Sequence, residues 1–128
     1  MKGFGAKAAM VAFGVGLLSS GCSTTLSEVR TKEPYRSISS TKAPQGLAKC
    51  IEFKMRAELG GGLIVNLEDY PNSTYRVALQ QGTDRGSAVA DVLVKPADRG
   101  SVVEVRKWDL SSITFLSKVL DMIERCAQ

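Results

Sequence analysis

Three cysteines, Cys22, Cys50 and Cys126, are the residues with the most chemistry to offer. A cysteine can be a nucleophile, a metal ligand, an acyl acceptor or half of a disulfide. The first two uses need company that this chain lacks. None of its 128 residues is histidine, which removes Cys-His and Ser-His-Asp catalysis and most zinc chemistry. Glu68 and Asp69 are adjacent, so in a strand they point to opposite faces and do not form an acid–base pair. Asp84 and Asp98 sit in glycine-containing turns, where aspartate is common for conformational reasons, and no Asp-x-Asp-x-Asp run suits calcium. Gly60-Gly61-Gly62 lacks the Gly-Lys-Ser/Thr and the following helix of a phosphate loop. Asn72-Ser73-Thr74 spells a glycosylation acceptor but reads as a turn. The expectation is a protein that is not an enzyme, with no catalytic residue, no metal and no cofactor.

The surroundings of Cys22 say more. Met1–Lys7 carries Lys2 and Lys7 and no acid, Ala8–Leu18 is an apolar run, and Ser19-Ser20-Gly21 leads to Cys22. That order is a secretory signal, and the run is well short of the about 20 residues that span a bilayer. Leu17-Leu18-Ser19-Ser20-Gly21-Cys22 resembles the lipobox of a bacterial lipoprotein precursor, a resemblance that covers residues 1–22 alone. It departs from the family pattern at Ser19, where a large aliphatic residue is usual and Leu18 stands one step back. The resemblance implies diacylglyceryl transfer to Cys22, removal of a 1–21 signal peptide and acylation, palmitate included. Ser23 after the cysteine, in place of aspartate, implies the outer membrane, facing the periplasm. Ser19 and Gly21 also suit ordinary signal peptidase, which would release a soluble periplasmic product.

If Cys22 is acylated, Cys50 and Cys126 remain as an even pair in an oxidising compartment, and a disulfide between them is expected. Closing so long a loop stabilises the native state by on the order of 4–5 kcal/mol in the chain-entropy model. Charge argues against nucleic acid as a partner. The chain holds 17 Lys+Arg against 13 Asp+Glu, a net charge of +4, and half of that excess leaves with Lys2 and Lys7. There is no basic block and aromatic residues are only 6%, so no nucleic-acid partner is expected.

The elements that must position these cysteines follow from periodicity. Residues 22–34 are polar and end at Pro34, which predicts a flexible tether, and 35–128 is left as a single domain. Tyr35–Ser39 alternates as a first strand, and Lys32, Arg36 and Lys42 read as solvated charge rather than a headgroup patch. Pro44 opens a helix whose apolar face is Leu47, Cys50, Ile51, Met55 and Leu59, and the glycine triplet ends it. Leu63–Tyr70, Thr74–Gln81, Ser87–Lys95 and Ser101–Trp108 are strand candidates separated by turn signals. Ser111 or Ser112 caps a last helix with the stripe Ile113, Leu116, Val119, Leu120, Ile123 and Cys126.

Two apolar stripes that each carry a cysteine predict helices side by side. The fold class expected is α+β, a two-layer sandwich with an antiparallel meander sheet of four to five strands and two helices on one face, in the order (β)αββββα. The other sheet face, with Arg76, Gln80, Asp91, Glu104 and Arg106, is expected to be wet. Trp108 reads as strand-end packing rather than as a binding anchor. The function expected is that of a membrane-anchored envelope lipoprotein acting as a non-catalytic binding or scaffold module. Its partners are the lipid bilayer, through acylated Cys22, and another envelope protein. The alternative is a soluble periplasmic or lipid/glycan-binding carrier domain, and behind it a small periplasmic enzyme or inhibitor.

Overall fold

The computed structural model describes residues 25–82, 88–109 and 111–128. The expected signal peptide, Cys22 and Asp84 lie outside the described residues.

Five strands form one antiparallel sheet: β1 (Arg36–Ser40), β2 (Leu63–Tyr70), β3 (Thr74–Gln81), β4 (Ala88–Ala97) and β5 (Gly100–Lys107). Their order is β1-β5-β4-β3-β2, so β2 to β5 make the expected meander and β1 pairs with the last strand. The register puts branched residues in rows on one face, with Leu67 opposite Val77, Val77 opposite Val92 and Val92 opposite Val105. Such side chains fill a pleated surface well and lose little rotamer freedom there.

Turn chemistry fixes that register. Asn72 and Ser73 both take positive φ, 64° and 55°, as the tight connection between β2 and β3 requires. Gly100 has φ +129°, and a Cβ there would lie 2.2 Å from the Ser40 carbonyl oxygen, so only glycine fits where the β4–β5 turn passes under β1. β4 runs to Ala97, two residues beyond the predicted end. Pro96 is accommodated because it pairs with Ser101 of β5 and lies beyond Val94, which stands opposite Tyr75 of β3, so its missing N–H costs no bond to β3.

Two fifteen-residue helices cover the valine face. α2 (Pro44–Glu58) buries Leu47, Ala48, Ile51 and Met55, and α3 (Ile113–Ala127) buries Leu116, Val119, Met122, Ile123 and Cys126. Pro44 opens α2 without a side-chain cap, while Ser112 caps α3 by accepting from the Phe115 N–H at 3.1 Å. The two helices touch each other, and Cys50 is bonded to Cys126 with their Cα atoms 5.8 Å apart. Arg125 adds an ion pair to Glu58 at 2.7 Å. At the chain end the Ser40 hydroxyl donates to the Ala127 carbonyl at 2.7 Å, satisfying an acceptor that the helix itself cannot. Ile113, expected on the buried stripe, is 77% exposed. It belongs to the first turn of α3, which borders an open cleft and has no strand beneath it to pack on.

The tether prediction fails from Thr25 onward. Residues Leu26–Arg30 form a short helix, α1, closed by a reciprocal capping box between Thr25 and Glu28. α1 packs on β4 and β5, and Val29 is fully buried. Residues 25–34 therefore belong to the folded unit. The prediction of a wet sheet face needs the same correction: Arg76, Gln80, Asp91, Glu104 and Arg106 do share the face opposite α2 and α3, but Asp91 is 0% exposed, because α1 and the connection that follows it lie over that face.

Removing the bond between the helices leaves α3 attached to α2 by packing and by an exposed ion pair, which contributes little. Replacing Cys126 with Ser is expected to lower the stability of the oxidised protein by about 2–5 kcal/mol. Urea unfolding checks this. An unchanged midpoint and slope would mean that packing alone holds α3.

Candidate functional site

Two features of the surface are candidates. The first is the charged face under α1. Asp91 stands in the middle strand, in the otherwise apolar run Ala88–Val94. Its carboxylate accepts from Arg30 Nε at 3.1 Å and from Arg76 on the adjacent strand. Arg30 extends its other nitrogen to Glu68 Oε1 at 2.9 Å, and the Tyr70 hydroxyl donates to the same oxygen. Two arginines and two carboxylates thus balance, with the Tyr70 ring 5.9 Å from the Arg76 guanidinium.

Beside this quartet, Lys95 pairs with Glu104 at 2.9 Å. Arg106 donates from Nε to the Lys32 carbonyl at 2.9 Å, and its other end sits 3.1 Å from Glu104 but off the hydrogen-bonding line. Among the described residues each of these charges faces an opposite one, so the face is a clasp for the N-terminal segment.

Burial disfavours the charge of Glu68, but hydrogen bonds from Tyr70 and Arg30 and the positive charges of Arg30 and Arg76 outweigh it. Its carboxyl is held below the usual carboxylate range. The same bond lifts the Tyr70 phenol above its ordinary value. Lys95, by hydrogen bond, is the main reason that Glu104 is also held low. For Arg30, burial favours the neutral form, and the charge of Asp91 with the bonds to Glu68 and Asp91 more than reverses this, raising its value.

The second candidate is a cleft of about 350 Å³ at the end of the sheet where β5 finishes, bordered by Leu59, Leu63, Val89, Trp108 and Phe115 with Gly61 and Gly62 at its rim. A bulge builds it. Leu79 pairs with Ala90 and Gln80 with Ala88, which leaves Val89 out of the β3 ladder, as a bulged residue is. Its carbonyl accepts instead from the Trp108 N–H at 3.0 Å and from the Ser111 hydroxyl at 2.9 Å, pinning the β5–α3 connection. The Ser112 hydroxyl is engaged in capping α3. Among the described residues, none that lines the cleft is ionisable in the carboxylate-to-amine range, which suits a small neutral group; Glu58 and Lys118 border the adjoining depression.

The sequence-predicted residues fall as follows. Cys50 and Cys126 come together as one disulfide, and Cys22 lies outside the described residues. Glu68 and Asp69 are not brought together: Glu68 is in the clasp and Asp69 is exposed. Asp98 is exposed in its turn. Trp108 is half-buried at a strand end, lining the cleft. Among the described residues, no three His, Cys, Asp or Glu side chains are placed to hold a metal ion, and no helix is long and apolar enough to cross a membrane.

The clasp was missed by sequence reasoning although two signals announce it. Thr25-x-x-Glu28 is a capping-box pattern, and an aspartate inside a buried apolar strand demands a cationic partner. No protein-family model matches the chain, and no curated protein matches it either.

The clasp makes stability depend on pH in one direction. A carboxyl whose folded value is depressed contributes stability that is fully present above its unfolded value of about 4.3 and is lost as the pH falls through the folded value. Glu68 and Glu104 both have that sign. Acidification below about pH 4 is therefore expected to destabilise the domain, and Glu68→Gln is expected to flatten part of that fall. Thermal melts of parent and variant across the acid range check it; parallel curves would remove Glu68 from the account.

Proposed function

We propose that the protein is a membrane-anchored envelope lipoprotein whose domain is a non-catalytic binding or scaffold module, held at the bilayer by acylation of Cys22 and facing a protein partner in the periplasm. The observation that carries this reading is the arrangement of cysteines. Cys50 and Cys126 are bonded to each other, the use of cysteine that suits an oxidising, exported setting. Cys22 is then the odd cysteine, at the end of the expected secretory leader and three positions ahead of Thr25, which caps α1. Charged groups that are matched within the clasp, and a cleft without ionisable lining, support binding rather than turnover.

A second reading, a carrier of a small neutral lipid or glycan, is favoured by the cleft beside Trp108.

The mature protein is expected to begin at Cys22 with acyl chains attached, and Cys22→Ala to leave an unprocessed or soluble species. Intact-mass measurement of membrane-extracted protein checks this. A mature chain with an unmodified Cys22, or one that salt alone strips from membranes, would sink the anchored reading. Cross-linking in intact cells separates the two binding readings, since a scaffold gives a defined protein adduct and a carrier does not.

A further inference from the structure

The end of the sheet where β1 starts and β5 finishes carries positive charge with no counterpart. Tyr35 is 39% exposed, and two cations approach its ring, the Arg36 guanidinium carbon at 5.6 Å from the centroid and Lys107 Nζ at 5.4 Å. Such contacts contribute modestly at exposed sites, and they hold two like charges close together. Several basic groups elsewhere are matched, Arg30 and Arg76 by Asp91, Lys95 and Arg106 by Glu104, and Arg125 by Glu58. Among the described residues Lys42, Lys49, Lys54, Arg99 and Lys118 stand singly without an ion pair, whereas Arg36 and Lys107 are gathered on one ring. Among the described residues neither Arg36 nor Lys107 has an acidic partner.

Of the exposed large apolar side chains among the described residues, Phe53 lies on α2 and Tyr70 at the close of β2, and the other two belong to this end. The chain leaves Lys107 through Trp108 to the first turn of α3, where Ile113 is 77% exposed. Paired cations beside an exposed tyrosine and an exposed isoleucine are what a bilayer interface accepts: phosphates for the cations, and the headgroup–acyl boundary for the ring and the aliphatic side chain. A free phosphate site would use the cations and leave Tyr35 and Ile113 unexplained.

The expected anchor is close in sequence to the folded chain. Two residues, Ser23 and Thr24, separate Cys22 from Thr25, a reach of about 10 Å when extended. The segment that follows is tied to this end by the Lys32–Asp109 ion pair at 3.0 Å and by the Tyr35 N–H donating to the Val105 carbonyl at 2.6 Å. We infer that the end of the domain bearing Tyr35, Arg36, Lys107 and Ile113 rests on an anionic phospholipid surface, with Arg36 and Lys107 engaging lipid phosphates. This rests on the anchored reading and deepens it: the domain lies on the membrane rather than standing off it, and it presents its helical layer and clasp side to partners.

The test uses the mature chain with Cys22→Ser, so that no acyl chain contributes, and Trp108, the one tryptophan in the sequence, as the reporter beside Lys107. Vesicles of phosphatidylcholine mixed with phosphatidylglycerol are expected to sediment the protein and shift Trp108 emission to the blue, with weakening by salt. Phosphatidylcholine vesicles alone are expected to do neither. Each basic residue near an anionic surface strengthens partitioning about fivefold, so the Arg36→Gln, Lys107→Gln double variant is expected to bind roughly thirtyfold more weakly. The Arg36→Lys, Lys107→Arg pair should bind like the parent, which separates charge from misfolding. Equal binding to both vesicle types, parental binding by the Gln pair, or an equal Trp108 shift with inorganic phosphate alone would overturn the inference. A negative result here leaves acylation of Cys22 to its own mass measurement, and an unmodified Cys22 leaves the vesicle result standing.

Discussion

A single buried carboxylate organises one side of this molecule. Asp91 has no solvent exposure, and a lone ionised carboxylate in such a place costs several kcal/mol. The cost is met by two arginines from different parts of the chain. Arg76 comes from the neighbouring strand and is in place as soon as β3 and β4 pair. Arg30 comes from α1, sixty-one positions away, and reaches Asp91 only if the N-terminal segment lies across the sheet. An ion pair of this kind adds little net stability over a well-packed apolar core, but removing one partner is expensive. Its consequence here is positional: residues that by composition belong to a linker become a fixed part of the domain.

The opposite side is held by different means. α2 and α3 cover rows of valine and leucine on the sheet, and the disulfide joins their buried stripes near the chain end. A domain of about a hundred residues buries a smaller share of its surface than a large one, so a covalent bond across its helices is a substantial stabiliser. The two sides together explain the ends of the folded unit. The N-terminus is fixed by charge, with Val29 seated beneath it, and the C-terminus by the bond at Cys126 and the hydroxyl of Ser40 on the last carbonyls. The end of the sheet between them, where the bulge at Val89 opens the cleft, is left free of such fastenings.

Much of this fold was legible in the sequence because strong periodicities carry it. The alternation Tyr75, Val77, Leu79 gave β3 and its inward face, and the spacing of Leu47, Ile51 and Met55 gave α2. What failed did so for definable reasons. α1 sends one residue, Val29, fully into the interior, which is too little to register as a helical period. The polarity of Arg76, Asp91 and Arg106 told which way those residues point but not whether something covers them. Ile113 sits in register with its stripe, yet the stripe extends past the surface it packs on. The cleft draws its lining from one helix, three strands and two connections, so no local pattern could announce it. Of the candidate site residues, the Cys50–Cys126 pair followed from counting cysteines once Cys22 was set aside.

The central claim is that the segment beginning at Thr25 is folded structure clasped by Asp91. Amide hydrogen exchange of the oxidised protein tests it most directly, followed at Val29, whose N–H donates to the Thr25 carbonyl at 3.2 Å. The account predicts marked protection of that amide in the parent and its loss in Asp91→Asn, with the core strands still protected. Exchange of Val29 in the parent at the rate of an unstructured chain would contradict it.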